Sequence, residues 1–211
     1  LALACPGESA DALAALPICE RDRLLLSFRE ALFGPRVIGI VCCPHCGERL
    51  ELDLAVAELC VAAAAVSEDR LTMRGADHEL RLRLPNSHDL LAAIAAADPV
   101  RALLGRCLLS SRIAGSDVVA EHLSDALVRE VAQRLDAADP QADLRLALSC
   151  AACSLPWKAP FDIVAFLWAE IDSWAVRALR EVHALASAYG WTEAEILALG
   201  PARRRAYLEM V

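Results

Sequence analysis

Two distant stretches of the sequence decide the fold, and each contains a Cys-x-x-Cys pair. The first, CCPHCGERLELDL, runs from Cys42 to Leu54, and the second, LALSCAACSLPWKAPFDI, runs from Leu146 to Ile163. The chain contains nine cysteines, and those at the spacing of metal ligands are Cys43, Cys46, Cys150 and Cys153. Whether the two pairs form one site or two unrelated turns determines how the rest of the chain is interpreted.

Both pairs are predicted to lie at the tips of β-hairpins. VIGIV leads into the first pair, and RLELDL after it alternates apolar and charged residues. DLRLALSC and WKAPFDI flank the second pair. Zinc prefers four soft ligands in a tetrahedral arrangement, and two Cys-x-x-Cys turns that face each other supply them. We therefore predict one structural zinc ion, bound by the four cysteines in a zinc ribbon that is built from residues 36–56 and 143–163.

Other interpretations of the two pairs remain open at this point. The pairs lie much farther apart than the roughly 15 to 20 residues of a compact zinc ribbon, so they could be ordinary buried thiols. A thioredoxin-like redox pair is less favoured, because that chemistry places the pair at the start of a helix and a strand is predicted here. Cys42 and His45 are further candidate ligands next to the first pair. The other cysteines are interpreted as small apolar packing residues.

Composition and charge limit the function classes. The chain has 211 residues, of which 57% are hydrophobic and 5% aromatic, which favours a helical core of Ala, Leu and Val. Asp and Glu outnumber Lys and Arg by 29 to 21, so general nucleic-acid binding is disfavoured. The longest strongly apolar run, Leu54 to Val66, is too short for a membrane helix of about 20 residues. The first residues lack the features of an export signal, so assembly in the cytoplasm is expected.

The remaining sequence predicts a mainly helical α+β fold. Residues 1–35 are predicted to be helical with a break at Pro17, and residues 57–142 to form an inserted hairpin and helices. In this insert, LTMRGADHELRLRLP predicts the hairpin, and DLLAAIAAAD, RALLGRCLLSS and VVAEHLSDALVREVAQRLDAAD predict three helices, the last beginning at Ser116 or Asp117. Residues 162–211 are predicted to be a C-terminal helical segment whose first helix ends at Tyr189, before Gly190. Thr192 and Glu195 predict a capping box at the start of the next helix, and Pro201 is predicted to begin the last one.

The sequence predicts protein contact rather than catalysis. It contains no phosphate-binding loop, nucleophile elbow or His-Glu-x-x-His motif, and a closed four-cysteine site has no open position that could activate water. Aromatic residues are concentrated after residue 155, in excess of what a core requires, and aromatic and arginine side chains are enriched at interfaces. The candidate partner-binding residues are Trp168, Trp174, Trp191, Arg203, Arg204, Arg205 and Tyr207.

Several longer stretches resemble one family of phage proteins. Phe166 to Val211, preceded by CAACSLPWKAPFDI and, upstream, by LPICERDRLLLSFREALFG and CCPHCGERLEL, is similar to small proteins encoded in the tail modules of contractile phages and phage-tail-like particles. These proteins are described as baseplate proteins or baseplate hub assembly factors of the T4 type. The resemblance is strongest from Cys150 to Val211, and its most specific stretches are the tryptophan-rich helix and YGWTEAEILAL.

The resemblance implies a structural or assembly protein that binds other baseplate or tail proteins in a hetero-oligomeric assembly, during assembly in the cytoplasm or in the finished particle. It implies no catalytic residues. A zinc-ribbon adaptor in transcription or nucleic-acid handling is the alternative from another class, and the acidic net charge argues against it. A thiol oxidoreductase that uses Cys43 and Cys46 is a more distant alternative.

Overall fold

The computed structural model describes residues 1–2, 5–61 and 70–211, which form two compact units, Leu1–Ile163 and Val164–Val211. Residues 62–66 of the apolar run noted above lie outside the described ranges. None of the helices in those ranges combines the length and the apolar character that are needed to cross a membrane. The two units are described separately below, and the finer domain limits given above remain predictions.

The elements confirm the predicted α+β class. The strands are β1 (Arg36–Cys42), β2 (Arg49–Ala55), β3 (Arg70–Arg74), β4 (His78–Arg83), β5 (Leu108–Ile113), β6 (Ser116–Asp117), β7 (Arg145–Ser149) and β8 (Pro156–Pro160). The helices are α1 (Ala10–Ala14), α2 (Ile18–Phe33), α3 (Val56–Leu59), α4 (Ser87–Ile94), α5 (Pro99–Cys107), α6 (Asp125–Ala138), α7 (Ile163–Tyr189), α8 (Glu193–Ala198) and α9 (Pro201–Leu208).

The two predicted hairpins are separate antiparallel ribbons. β1 pairs with β2, and β7 pairs with β8. In the first ribbon, Val37 lies opposite Leu54 and Val41 lies opposite Leu50, so these four residues share one face, whereas Ile38 and Ile40 of β1 lie on the other face and are exposed. In the second, Leu148 lies opposite Trp157. Each ribbon therefore has an apolar face and carries its cysteines in the connecting turn.

A four-stranded sheet, in the order β3-β4-β5-β6, forms the centre of the inserted region. The alternating leucines of β4 face α5 and α6, where they are almost completely buried. The core of this region consists of Met73, Leu80, Leu82, Leu104, Leu123, Leu127, Val128 and Val131. Burial of this set is the main stabilising contribution to the insert.

The helical prediction for two parts of the insert was wrong. Leu108 to Ser111, predicted to continue a helix, instead begins β5, because this segment pairs with β4 and tertiary pairing overrides helix propensity. The next helix was predicted to begin at Ser116 or Asp117, but those residues form β6 after a turn in which both Ala114 and Gly115 have positive φ. Helix α6 begins at Asp125, where the Ser124 hydroxyl caps the first turn.

In the second unit the predicted end of α7 and the predicted starts of α8 and α9 are confirmed. Helix α7 ends at Tyr189, and Gly190 follows with a φ of +69°. Helix α8 begins with a capping box, in which Thr192 and Glu195 accept hydrogen bonds from each other's backbone N–H. Pro201 begins α9.

Candidate metal centre

Each cysteine pair lies in a turn with the same backbone hydrogen bond. In the β1–β2 turn, the N–H of Cys43 donates to the carbonyl of Glu48 over 2.8 Å. In the β7–β8 turn, the N–H of Cys150 donates to the carbonyl of Leu155 over 3.2 Å. Each bond joins the first cysteine to the residue five positions later, so the two turns have equivalent ends.

A second hydrogen bond is equivalent in both turns. Gly47 N–H donates to Cys43 O, and Ser154 N–H donates to Cys150 O, each over 2.9 Å. The two donors have left-handed backbone conformations, with φ of +77° at Gly47 and +59° at Ser154. Glycine adopts this conformation without strain, whereas a residue with a Cβ incurs a cost of roughly 1–2 kcal/mol. Ser154 therefore holds its turn in the same geometry at an energetic cost.

The four thiol groups meet in one cluster. All four sulfur atoms lie within 4.8 Å of one another. Cys43 Sγ is 3.7 Å from Cys153 Sγ, and Cys46 Sγ is 3.5 Å from Cys150 Sγ, so each close pair joins one turn to the other. A tetrahedral zinc ion with Zn–S bonds of about 2.3 Å separates its ligands by about 3.8 Å. The spacing of the sulfur atoms therefore fits one tetrahedral metal ion.

Backbone N–H groups favour the thiolate form of Cys150, although burial opposes it. Cys43 and Cys150 are each only 2% exposed, whereas Cys46 is exposed. Backbone N–H groups, first that of Cys153 and then that of Ala152, lower the pKa of the Cys150 thiol to about 7 against the effect of burial. At Cys46 the N–H of Glu48 acts in the same direction, but contacts with the other thiols and burial raise the pKa to about 12. Several thiolates this close together require a cation.

The other candidate ligands lie outside this cluster. Cys42 is exposed at the end of β1, and His45 is exposed within the first turn. Cys107, interpreted from the sequence as a packing residue, is completely buried at the end of α5, where burial raises its thiol pKa to about 11. Among the described residues, no other cysteine, histidine or carboxylate belongs to this potential metal-binding group of four cysteines.

Gln141 holds the two ends of the insert together, a role that sequence reasoning missed. Its side chain is buried, accepts a hydrogen bond from Val61 N over 2.8 Å and donates to Leu59 O over 3.1 Å. Leu59 and Val61 follow the first ribbon, and Gln141 precedes the second. These two hydrogen bonds therefore join a segment next to the first ribbon to a segment next to the second, although the two lie far apart in sequence. No local signal identifies a glutamine whose partners lie about 80 residues away.

Comparison with protein families places this architecture in a known group. The family model described as T4 bacteriophage base plate protein matches residues 3–156. The chain belongs to this family. The baseplate family match includes the first ribbon, β7 and all four clustered cysteines, ends at the first residue of β8, and confirms the resemblance noted in the sequence. Comparisons with curated proteins and with solved structures gave no match.

The baseplate family match differs from the resemblance in its extent. The resemblance was strongest from Cys150 to Val211, but the matched range ends at residue 156, before α7. The tryptophan-rich helix and YGWTEAEILAL therefore lie outside the range that shows the family. The first unit, with its cysteine cluster, carries the assignment.

The candidate partner-binding residues of this baseplate-family chain fall into two groups in the second unit. Trp168 and Trp174 on α7 are 72% and 52% exposed. In contrast, Trp191 and Tyr207 pack together with Tyr189, with ring centroids 4.7 to 5.7 Å apart. Arg204 forms a 2.9 Å ion pair with Glu181, while its neighbours Arg203 and Arg205 are exposed. The role of all seven residues in partner binding remains a prediction.

Proposed function

We propose that this chain is a structural, non-enzymatic component of the baseplate of a contractile phage tail or phage-tail-like particle. The observation that carries the proposal is the baseplate family match over residues 3–156, which includes the complete cysteine cluster. A baseplate is assembled by contacts between different tail proteins, so the chain acts by binding its neighbours. The family match favours this role over that of a nucleic-acid adaptor, as does the formal net charge of −8.

In this proposal the four cysteines hold a structural zinc ion. An all-cysteine set with sulfur atoms within 4.8 Å fits zinc, and a closed site of this kind stabilises a fold instead of activating water. The ion joins residues 36–56 to residues 143–163 as one ribbon module. It thereby fixes both ends of the insert, which would otherwise depend on contacts such as that of Gln141.

The exposed tryptophans of α7 are the proposed contact with other tail proteins. Trp168 and Trp174 present large apolar surfaces to solvent, and tryptophan side chains often dominate the binding energy of an interface. The exposed Arg203 and Arg205 add positive charge to a chain that is acidic overall. We expect the tryptophans to be anchors and the arginines to contribute to specificity.

Purified particles test this function. The gene is replaced by one that encodes a tagged chain, and baseplates or complete tails are purified and examined by quantitative mass spectrometry. A fixed number of copies per particle is expected, together with loss of incorporation in the Trp168→Ala, Trp174→Ala double variant. The matched control is Ile38→Ala, which removes an exposed apolar side chain from β1. A chain required for assembly but absent from purified particles would contradict the structural role and favour an assembly factor.

A further inference from the structure

A second surface, in the first unit, has the features of a binding groove. A cavity of about 340 Å³ lies among α4, α5 and α6, and its walls are mainly apolar. Leu90 of α4, Val100 and Leu103 of α5 and Leu135 of α6 line it. The volume lies in the range of about 300–1,000 Å³ that is typical of sites for small ligands, so the cavity can hold an anchoring side chain. We call this cavity and the adjoining face of α4 the α4–α6 groove.

The apolar surface continues beyond the cavity along α4. Ile94 follows Leu90 by four residues and therefore lies on the same side of the helix. It is 79% exposed, and Val100 at the mouth of the cavity is 53% exposed. An occupant confined to the cavity would leave Ile94 in water. An elongated apolar stripe of this kind fits the face of an amphipathic helix.

The charged residues that line the groove are all acidic, and Arg145 lies near two of them, Asp136 and Asp143. Among the described residues that line it, three are aspartates and none is Lys or Arg. Asp139 is buried and accepts hydrogen bonds from Cys19 N and Ala142 N, and Asp143 pairs with Arg145 over 2.8 Å. Asp136 is exposed at the rim. A lysine or arginine of an occupant would find its partner there, whereas a phosphate of a membrane or nucleic acid would be repelled.

We propose that the α4–α6 groove binds an amphipathic helical segment of another tail protein, with aliphatic side chains in the cavity and along α4 and a lysine or arginine beside Asp136. Only the source of the segment, a tail protein, rests on the proposed function. The shape and charge of the groove do not depend on it. The proposal adds a contact in the part of the chain that matches the baseplate family, distinct from the tryptophans of α7.

Site-specific photo-crosslinking in cells that produce the complete tail tests this inference. A benzoylphenylalanine replaces Ile94, which is exposed enough to be exchanged without loss of the fold, and the control places it at Ile38 on β1. The expected product is specific to position 94 and joins it to a tail-protein peptide with aliphatic residues at helical spacing and a neighbouring Lys or Arg. Asp136→Lys should reduce this product at least tenfold, and Glu51→Lys on β2 should leave it unchanged.

A charge exchange completes the test. Replacement of the basic residue of the captured segment by Glu should restore the crosslink to the Asp136→Lys chain. A product between two copies of this chain, or a yield at position 94 that does not exceed that at position 38, would overturn the proposal. So would a product that is insensitive to Asp136→Lys. Because incorporation into particles is measured separately, a chain that enters baseplates without the expected crosslink would refute the groove and leave the proposed function intact.

Discussion

Substitution of Asp89 by Asn should destabilise the first unit strongly, because Asp89 is a completely buried carboxylate with several donors. Its oxygens accept hydrogen bonds from both terminal nitrogens of Arg83, from Arg106 Nε over 2.9 Å and from Asn86 N over 3.0 Å. These contacts join the start of α4 to β4 and to the end of α5. Asn removes the charge and turns an NH₂ group toward groups that are themselves donors.

The expected loss is about 3–5 kcal/mol, the usual cost of removing one partner of a buried ion pair. Arg83 and Arg106 lose the carboxylate, and Arg83 is 30% exposed, so partial hydration keeps the loss toward the lower end. Domains are stable by only about 5–15 kcal/mol, so a loss of this size is readily measured. The exposed pair of Arg36 and Asp53 is the matched control, because Asp53→Asn removes a carboxylate that is screened by solvent and should cost much less.

The contribution of Asp89 should also depend on pH. Burial acts to raise the pKa of this carboxyl, but hydrogen bonds from Arg83, Asn86 and Arg106 outweigh it and lower the pKa from 3.8 to about 2. A lowered pKa in the folded state contributes stability that is present above the unfolded pKa and is lost as the pH falls through the folded value. The difference between wild type and Asp89→Asn should therefore be constant above pH 5 and shrink between about pH 4 and pH 2.

Urea denaturation followed by circular dichroism measures this difference in the free energy of unfolding at each pH. Metal loss at low pH affects wild type and variant alike, so the comparison removes it. A loss below about 1 kcal/mol at pH 7, or one no greater than that of Asp53→Asn, would refute the role assigned to the buried carboxylate. An unchanged difference down to pH 2 would refute the lowered pKa.

Three further substitutions test the two cysteine turns and the Gln141 clamp, which is the pair of hydrogen bonds between Gln141 and the backbone of Leu59 and Val61. Gly47→Ala should destabilise the chain by about 1–2 kcal/mol in urea denaturation, because alanine is strained at φ of +77°. Ser154→Gly, at the equivalent position, should instead raise the denaturation midpoint by relieving strain. The gain should be up to about 1 kcal/mol, because the greater entropy of glycine in the unfolded chain offsets part of the relief. A loss of stability would contradict the equivalence of the two turns. Gln141→Ala should lower the free energy of unfolding by about 1–3 kcal/mol and speed hydrogen exchange at Val61 N–H, because two buried backbone groups lose their partner. An unchanged exchange rate at Val61 would argue against the Gln141 clamp.

The sequence predicted the parts of this structure that depend on local patterns. Alternation in RLELDL, the Cys-x-x-Cys turns, the capping box at Thr192 and the helix end before Gly190 involve residues within a few positions of one another, and each agrees with the structure. Long-range prediction succeeded in one case, the convergence of the cysteine pairs, because zinc chemistry restricts which groups can share a site.

The features that were missed depend on partners far away in sequence. Leu108–Ile113 is a strand because β4 lies beside it, and its own residues resemble the end of the preceding helix. The carboxylate network of Asp89 and the clamp formed by Gln141 involve residues that are unremarkable in their local context. The α4–α6 groove arises only when three helices meet.

The central claim is that the two distant cysteine pairs form one zinc site, and native mass spectrometry with metal analysis tests it most directly. The account predicts one zinc per chain in wild type and in Cys42→Ser, whose thiol is exposed outside the cluster, and loss of that zinc with loss of folding in Cys150→Ser. Wild-type protein without metal that forms reversible disulfides, or a Cys150→Ser chain that retains a full complement of zinc, would contradict it.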